Sequence, residues 1–422
     1  MTYNATSKLS LFHWLLQRPA LRGFIVIRAA DELASQMLNV AIGWYVYAAT
    51  HNPMSLAYVG LAQFLPTIGL LLIAGHAADR FDRRKLIGLS LLMQTFCVAA
   101  FAVWSAAAAP SARPVYLLLL VVGSARAFCS PAMSAMLPRV VSGEEFPRAV
   151  AASSSAFQIC TIVGPAIGGL LYAVSAKAMF AVVAGLYFLA TTQTRRLAAG
   201  RVPIVHQQVA LTDKSVFAGI RYVKSNRLLL SLISLDLFAV LLGGVTALLP
   251  IYAKDILAVG PIGLGCLRCA PGAGAAVIGL LLAHHTIERN AGKRMLACVA
   301  GFGLATVVFA ISTNFWLSLA ALIAAGGFDM VSMVIRQTLV QLSTPDAMRG
   351  RVSAVNWLFI GASSELGEFE SGATAALFGT VPAALLGGLG TIAVVATWAA
   401  IFPELRGADE LVRAERSEAA AG

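Results

Sequence analysis

Two long uncharged apolar runs flank one short charged stretch, and this arrangement constrains the fold more than any other feature of the sequence. Residues 57–74 precede the stretch and residues 86–109 follow it, and neither run contains Asp, Glu, Lys or Arg. At about 1.5 Å rise per residue, each run is long enough to cross a hydrocarbon core of about 30 Å as a helix. The sequence therefore predicts two membrane crossings joined by a ten-residue turn at residues 76–85.

This turn is basic, and its charge indicates the side of the membrane on which it lies. Short loops rich in Lys and Arg stay on the cytoplasmic side. The basic residues of this and the later alternate turns are Arg80, Arg83, Arg84 and Lys85, then Arg139 and Arg148, then Arg289, Lys293 and Arg294, and finally Arg349 and Arg351. We therefore expect a multi-pass membrane protein with both termini in the cytoplasm.

Composition favours the same class of protein and argues against several others. Hydrophobic residues make up 59% of the chain and charged residues 12%, against about 25% charged residues in a soluble domain. The net charge of +11 comes mainly from Lys and Arg in the predicted cytoplasmic segments. Because membrane orientation explains this excess of positive charge, we expect no nucleic acid partner. All six cysteines lie in apolar runs, which is not typical of disulfides or a metal site. Because no nucleotide-binding loop or catalytic triad is apparent, we expect neither an enzyme nor a cofactor.

Apolar runs separated by polar turns predict an all-α membrane protein with twelve transmembrane helices in two six-helix pseudo-repeat bundles. The predicted spans are 23–48, 56–75, 86–108, 114–136, 148–173, 177–194, 228–252, 261–283, 293–312, 314–339, 351–376 and 380–402. The predicted regions are a cytoplasmic segment at 1–22, bundles at 23–194 and 228–402, a cytoplasmic linker at 195–227 and a cytoplasmic tail at 403–422. The chain therefore has the plan of a transporter with two repeated halves.

The two cytoplasmic segments that precede the bundles are predicted to contain helices lying in the headgroup region. In residues 1–22, apolar side chains share one helical face with Trp14 nearby. In the linker, Val216, Ile220 and Val223 share a face that excludes the basic residues. A flexible, solvated linker is the alternative.

Charged side chains inside the predicted spans are the candidates for proton coupling and for lining a cavity, because such charges are expensive in a bilayer. These candidates are Arg28, Asp31, Glu32, Arg126, Asp236, Asp329, Glu365 and Glu368. Asp31 and Glu32 lie roughly 14 Å along the helix from Arg22, close to the bilayer centre. A carboxylate at that depth near an arginine can change protonation when its access to water changes. A fixed ion pair that only holds helices together is the alternative.

Three further intramembrane charges are Arg268, Arg336 and Glu370. Arg336 lies near one end of its predicted span, so it can alternatively extend toward water at the cytoplasmic surface. Glu370 does not share the helical face of Glu365 and Glu368, which are three residues apart.

Glycine and proline mark the fifth predicted span. Gly164, Pro165, Gly168 and Gly169 remove side-chain volume at four-residue steps, which permits close helix contact and a bend. Tight packing with no role in coupling is the alternative.

Several of these segments resemble a known family. Residues 75–85, Gly-His-Ala-Ala-Asp-Arg-Phe-Asp-Arg-Arg-Lys, resemble the loop signature of the major facilitator superfamily. Residues 164–169 are similar to its antiporter motif, and Arg126 stands where that family often has an arginine. Residues 78–84 and 344–352 are similar to the bacterial subgroup of enterobactin exporters and macrolide efflux proteins. Asp82 and Cys160 depart from these motifs, which usually have glycine at both positions.

The resemblance implies a substrate cavity between two bundles that rock to give alternating access. It implies a conformational gate in which Asp79 meets a helix N-terminus of the other half, with Arg80 and Arg83 in the same charge network. The residues of this gate are Gly75, Asp79, Arg80, Arg83 and Arg84. A purely topological role of these charges is the alternative. The resemblance also implies that the protein lies in the bacterial inner membrane.

The function expected from the sequence is export of a small organic molecule, a siderophore or an amphipathic drug, by proton antiport. The expected partners are the substrate, protons and the lipid bilayer, and we expect a monomer. Uptake by proton symport is one alternative. A membrane sensor or scaffold that has lost transport is another.

Overall fold

The computed structural model of the chain describes residues 14–15, 17–107, 111–195, 197, 213–284 and 290–407. The side chains of residues 71, 72, 79, 106, 107, 213–217, 346 and 347 lie outside the described set. Within the described ranges the regular structure is helical, and no strand is present.

The first half of the chain forms seven helices within the described ranges. They are α1 (Pro19–Thr50), α2 (Pro53–Gly69), α3 (Leu71–Arg80), α4 (Arg83–Ala107), α5 (Arg113–Val140), α6 (Phe146–Val174) and α7 (Ala176–Thr194). The second half begins with α8 (Asp213–Ser225), α9 (Arg227–Gly243), a 3₁₀ turn (Thr246–Leu248), a short α-helical turn (Leu249–Ile251) and a π-helical turn (Tyr252–Ile256). It continues with α10 (Gly260–His284), α11 (Ala291–Ile311), α12 (Phe315–Leu342), α13 (Asp346–Phe378), α14 (Thr380–Ile401) and a 3₁₀ turn (Pro403–Leu405).

Nine segments of the described chain are long and apolar enough to cross a membrane. They correspond to nine of the twelve predicted spans, and the other three predicted spans fall on α1, on α2 with α3, and on α13. Polar residues lower the mean hydropathy of α1 and α13, while Leu70 divides α2 from α3. The all-α membrane class is confirmed, whereas the count of twelve stays a prediction.

The predicted ten-residue turn at 76–85 is wrong. Helix α3 ends at Arg80 and α4 begins at Arg83, so that only Phe81 and Asp82 separate them. Phe81 has an extended backbone, and the Asp82 carboxylate accepts a hydrogen bond from the Arg84 backbone N–H at 3.0 Å. An aspartate at this position satisfies one of the free amides at a helix start. The basic residues therefore continue the helix instead of forming a loop.

The predicted seventh span, 228–252, is not one continuous helix. Helix α9 ends at Gly243, and the chain reaches Ile256 through the 3₁₀, α and π turns. The Ser371 hydroxyl of α13 donates a hydrogen bond of 2.7 Å to the Gly244 carbonyl, which has lost its helical partner. A packed side chain therefore compensates for the interruption.

Contacts divide the chain into two units. The first unit comprises Met1–Ala41 with Leu65–Gln207, and the second comprises Ile42–Phe64 with Gln208–Gly422. The end of α1 and most of α2 therefore belong by contact to the second unit. The predicted boundaries of the two bundles and of the terminal segments stay a prediction.

In the first unit, Trp14 packs on protein side chains at the start of α1. It is 4% exposed and clusters with Leu21, Val141 and Ala149. The guanidinium groups of Arg18 and Arg148 lie 4.8 and 4.6 Å from its ring. The remainder of the helix predicted for residues 1–22 lies mostly outside the described residues.

In the second unit, α8 confirms the amphipathic helix predicted in the linker. Val223 is buried in a hydrophobic core that includes Val352 and Val355 of α13, while Arg221 and Lys224 are exposed. A Cβ atom at Gly219 would lie 2.9 Å from the Arg351 carbonyl oxygen, so only glycine permits this helix contact. Contact of α8 with lipid stays a prediction.

Candidate functional site

Two adjacent carboxylates of α1, Asp31 and Glu32, face different neighbours in the first unit. Successive residues of an α-helix point about 100° apart, because 3.6 residues complete one turn. Asp31 lies toward α5 and α7, whose Arg126 and Tyr187 are its electrostatic neighbours. Glu32 lies toward α6 through Thr161. One turn of α1 therefore directs polar groups toward three other helices, and one of these groups forms a hydrogen bond.

The Asp31 carboxylate has charged neighbours but an unsatisfied oxygen. Arg126 and Arg28 interact with it electrostatically, as does Glu32. Its Oδ1 atom is buried and has no hydrogen-bond partner among the described residues. The same holds for the Tyr187 hydroxyl and for Nε of Arg28, whose guanidinium lies 4.9 Å from the Phe157 ring. Water, a proton or a ligand can occupy these free hydrogen-bonding positions.

The Glu32 carboxylate, in contrast, is satisfied by two donors. Its Oε1 accepts hydrogen bonds from Gln36 Nε2 at 2.7 Å and from Thr161 Oγ1 at 3.0 Å. The side chain is 8% exposed. These contacts hold the Glu32 side chain in place against α6.

Glycines of α6 bring its backbone against α1 next to this hydrogen bond. A Cβ at Gly164 would lie 2.6 Å from Gln36 Cβ, and one at Gly168 would lie 2.8 Å from Met37 Cα. Pro165 lies inside the helix, and Gly169 is also buried. These residues permit a close helix contact, and their role in antiport stays a prediction.

In the second unit, Asp236 of α9 and Arg336 of α12 form an ion pair. Their side chains are 13% and 4% exposed. The alternative in which Arg336 extends toward water is therefore wrong, because a buried carboxylate offers the guanidinium a stronger partner.

A second arginine of this unit, the half-buried Arg268 of α10, is not paired in this way. Glu368 of α13 is its electrostatic neighbour, but no ion pair within 4.0 Å joins these two described residues. Glu365 lies one turn before Glu368 and has an interaction of its own. Asp329 of α12 is exposed, and the structure does not place it with these groups. Glu370 accepts a hydrogen bond from Thr374 Oγ1 at 2.9 Å.

The residues of the loop signature lie at the junction of α3 and α4. Arg83 is buried and donates to the carbonyls of Ala78 and Ala135 at 3.1 and 2.9 Å. Arg84 donates to the Leu197 carbonyl at 2.8 Å. Arg80 is exposed at the end of α3, and Gly75 has open space where a side chain would begin. The Asp79 side chain lies outside the described residues, so its gating contact stays a prediction.

Sequence reasoning missed several polar partners of the charged groups. Gln36 was detectable, because it lies four residues after Glu32 and so shares its helical face. The roles of Thr161 and Tyr187 as neighbours of the α1 carboxylates, and the lack of a partner for Arg268 among the described residues, depend on how distant segments pack. Helical periodicity does not specify that packing. Among the described residues, no group of three or more His, Cys, Asp or Glu side chains is placed to hold a metal ion.

Sequence comparison identifies a matching family model and similar proteins that are named as exporters. The family model described as transmembrane secretion effector matches residues 16–419. Enterobactin exporter EntS of Escherichia coli (strain SE11) is 27% identical over 393 residues, covering 90% of this chain and 88% of that protein. The EntS protein of Shigella boydii serotype 18 matches with the same identity and coverage.

Solved structures of transporters share the fold. A variant of nucleoside transporter NupG matches with a TM-score of 0.72 and 12% identity, covering 91% of this chain and 100% of that one. A bacterial homologue of the human lysosomal transporter Spinster matches with a TM-score of 0.70 and 13% identity, covering 93% and 96%. A bacterial homologue of the iron transporter ferroportin matches with a TM-score of 0.66 and 14% identity, covering 90% and 98%.

Proposed function

The chain belongs to the transmembrane secretion effector family of the major facilitator superfamily, and we propose that it exports a small organic molecule in exchange for protons. Family membership assigns it to membrane transport. The similarity to EntS, which is named as an enterobactin exporter, supports outward transport and a siderophore as one substrate class. An amphipathic drug is the other class.

The observation that carries the proton-coupling part of this proposal is the contrast between Asp31 and Glu32. Glu32 accepts two hydrogen bonds, whereas Asp31 Oδ1 is buried without a partner. Burial favours the protonated form of a carboxylate, and a nearby guanidinium favours the ionised form. The charges of Arg126 and Arg28 oppose the effect of burial on the Asp31 carboxylate, so changes in hydration or geometry can move its proton.

A transport cycle follows from this balance. When the site opens to the acidic outer side, Asp31 binds a proton and its attraction to Arg126 is lost. When the site opens to the cytoplasm, Asp31 releases the proton and attracts Arg126 again. Substrate that binds the deprotonated form better than the protonated form is thereby carried outward, because each ligand favours one state.

The close contact between α1 and α6 couples protonation of Asp31 to movement of α6. On α1, the contact consists of Glu32, Gln36 and Met37, which pack against Thr161, Gly164 and Gly168 of α6. Movement of α1 around Asp31 is therefore transmitted to α6. The gate formed by Gly75, Asp79, Arg80, Arg83 and Arg84 would then stabilise one of the two states. We further propose that both termini are cytoplasmic and that the transporter acts as a monomer.

The proposed function is tested by a growth screen of a deletion strain. The strain is grown under iron limitation, with its secreted products analysed, and separately against a panel of lipophilic drugs. The proposal is supported if the strain loses a secreted iron chelator or becomes more sensitive to drugs, and if the wild-type gene reverses this change while the Asp31→Asn variant does not. An unchanged strain, or full restoration by Asp31→Asn, contradicts it.

A further inference from the structure

Two arginines inside helices of the second unit, buried Arg336 and half-buried Arg268, differ in their partners. Arg336 is ion-paired with Asp236. Arg268 has a buried Nε atom without any hydrogen-bond partner, and no carboxylate lies within ion-pair distance among the described residues. The Arg268 side chain is half-buried, so an anion can reach its guanidinium and supply the partner that the buried Nε atom lacks. Arg268 is therefore available to an anion, whereas Arg336 is already neutralised.

Glu368 supplies a charge near Arg268 without contacting it. The two groups interact electrostatically, and Glu368 makes no hydrogen bond or ion pair among the described residues. A carboxylate at this position weakly compensates the guanidinium while leaving its donors free. It also repels a bound anion, which limits the affinity and favours release.

Glycines of α1 and α2 adjoin these two charges inside the second unit. A Cβ at Gly43 would lie 3.9 Å from Arg268 Nη2 and 3.0 Å from Pro250 Cγ. A Cβ at Gly60 would lie 3.2 Å from Glu368 Cβ and 3.5 Å from the Glu365 carbonyl oxygen. Gly43 therefore borders the Arg268 guanidinium and Gly60 borders the base of the Glu368 side chain, so that no large side chain from these positions fills the space beside them.

We propose that Arg268 binds an anionic oxygen group of the exported molecule, a carboxylate or a phosphate ester, and that Glu368 opposes this binding by repulsion. The inference rests on the proposed function and specifies its substrate class. A planar guanidinium with free donors matches the two oxygens of such groups. The exported molecule is then an organic anion with an apolar body, which suits a site built in apolar helices.

Thermal unfolding of the full-length protein in detergent tests this inference with small probes. Benzoate and phenyl phosphate are the anionic probes, benzamide is the neutral probe, and chloride keeps the ionic strength constant. A ligand of the folded state raises Tm in proportion to its occupancy. We expect at least one anionic probe to raise Tm more than benzamide does, and the more effective anion identifies the class.

Three variants separate recognition from a structural effect. Arg268→Gln should weaken anion binding about tenfold or more, because a charge-assisted bidentate contact is lost, while its Tm without probe stays close to wild type. Arg268→Lys should retain part of the affinity. Glu368→Gln should strengthen anion binding about threefold, since a repulsive charge is removed. Thr338→Val, at an exposed position of α12, is the matched control and should leave binding unchanged.

Three results would overturn the inference. They are an anion-specific rise in Tm that persists in Arg268→Gln, no such rise in the wild type, and weaker anion binding in Glu368→Gln than in the wild type. Failure of the proposed function has a different signature. In that case anion binding survives while the dependence of transport on a proton gradient is absent. Asp31→Asn, which removes the proposed proton site, should keep the Arg268-dependent shift.

Discussion

Thr161 of α6 donates a 3.0 Å hydrogen bond to Glu32 of α1, and this contact distinguishes Glu32 from the adjacent Asp31. The hydrogen bond fixes one carboxylate at a helix contact and leaves the other beside Arg126 and Arg28. Two neighbouring residues of similar chemistry therefore have different surroundings. In the proposed mechanism Glu32 positions α1 against α6, and Asp31 exchanges a proton.

Removal of the Thr161 hydroxyl should weaken the contact between α1 and α6. Thr161→Val leaves Glu32 Oε1 with one donor instead of two, which should lower the free energy of unfolding by about 1–2 kcal/mol. Thr338→Val is the matched control, because both hydroxyls also bond to a carbonyl four residues earlier but Thr338 is exposed. Chemical unfolding of both variants measures the difference. Equal stability of the two variants would show that the interhelical bond is unimportant.

A methyl group at Gly168 should separate α6 from α1. The Cβ of Gly168→Ala would lie 2.8 Å from Met37 Cα, a backbone atom that cannot move alone. We expect a loss of about 1–3 kcal/mol in stability and a clear loss of transport. Gly185→Ala is the control, since nothing lies within 4 Å of that position. The idea of a tight contact fails if both variants unfold and transport like the wild type.

Neutralising one partner of the Asp236–Arg336 pair should be more harmful than replacing both. Asp236→Asn leaves a guanidinium that is 4% exposed without its anion, with an expected loss of about 3–5 kcal/mol. The double variant Asp236→Leu with Arg336→Met should recover most of that loss, because no buried charge remains. A double-mutant cycle of unfolding free energies measures the coupling. Additive losses would indicate that the pair does not interact.

The pair formed by Arg18 and Glu145 should make stability depend on acidity. The hydrogen bond from Arg18 lowers the pKa of Glu145 below its ordinary value of 4.5. A lowered folded-state pKa contributes stability above the unfolded pKa, and this contribution is lost as the pH falls through the folded pKa. Both side chains are about 30% exposed, so the effect should be small. Tm measured between neutral and acidic pH should fall less for Glu145→Gln than for the wild type, and parallel curves would contradict this.

Helical periodicity and charge patterning predicted most of the helices, because a bilayer imposes length and hydropathy on each crossing. The position of Arg126 inside a predicted span was also informative, since it is an electrostatic neighbour of Asp31. The pairing of Asp236 with Arg336 was not predictable, because it joins helices about 100 residues apart. The interruption after Gly243 likewise depends on Ser371, which lies far along the chain.

The turn between α3 and α4 was misjudged for a local reason. Charge patterning places the helix ends at the charged residues, although α-helices continue into water where capping groups satisfy their termini. Asp82 caps α4, so Arg83 and Arg84 begin a helix. A search for the capping residue would have shortened the predicted turn.

The central claim is that Asp31 carries the proton that drives export. The most direct measurement is accumulation, in inverted membrane vesicles, of the substrate identified by the growth screen. Wild-type protein should accumulate substrate when the vesicle interior is acidified, and Glu32→Gln should still respond to the pH gradient at a reduced rate. Asp31→Asn should exchange substrate without any response to the gradient. Accumulation by Asp31→Asn that responds to the gradient as the wild type does would contradict the account.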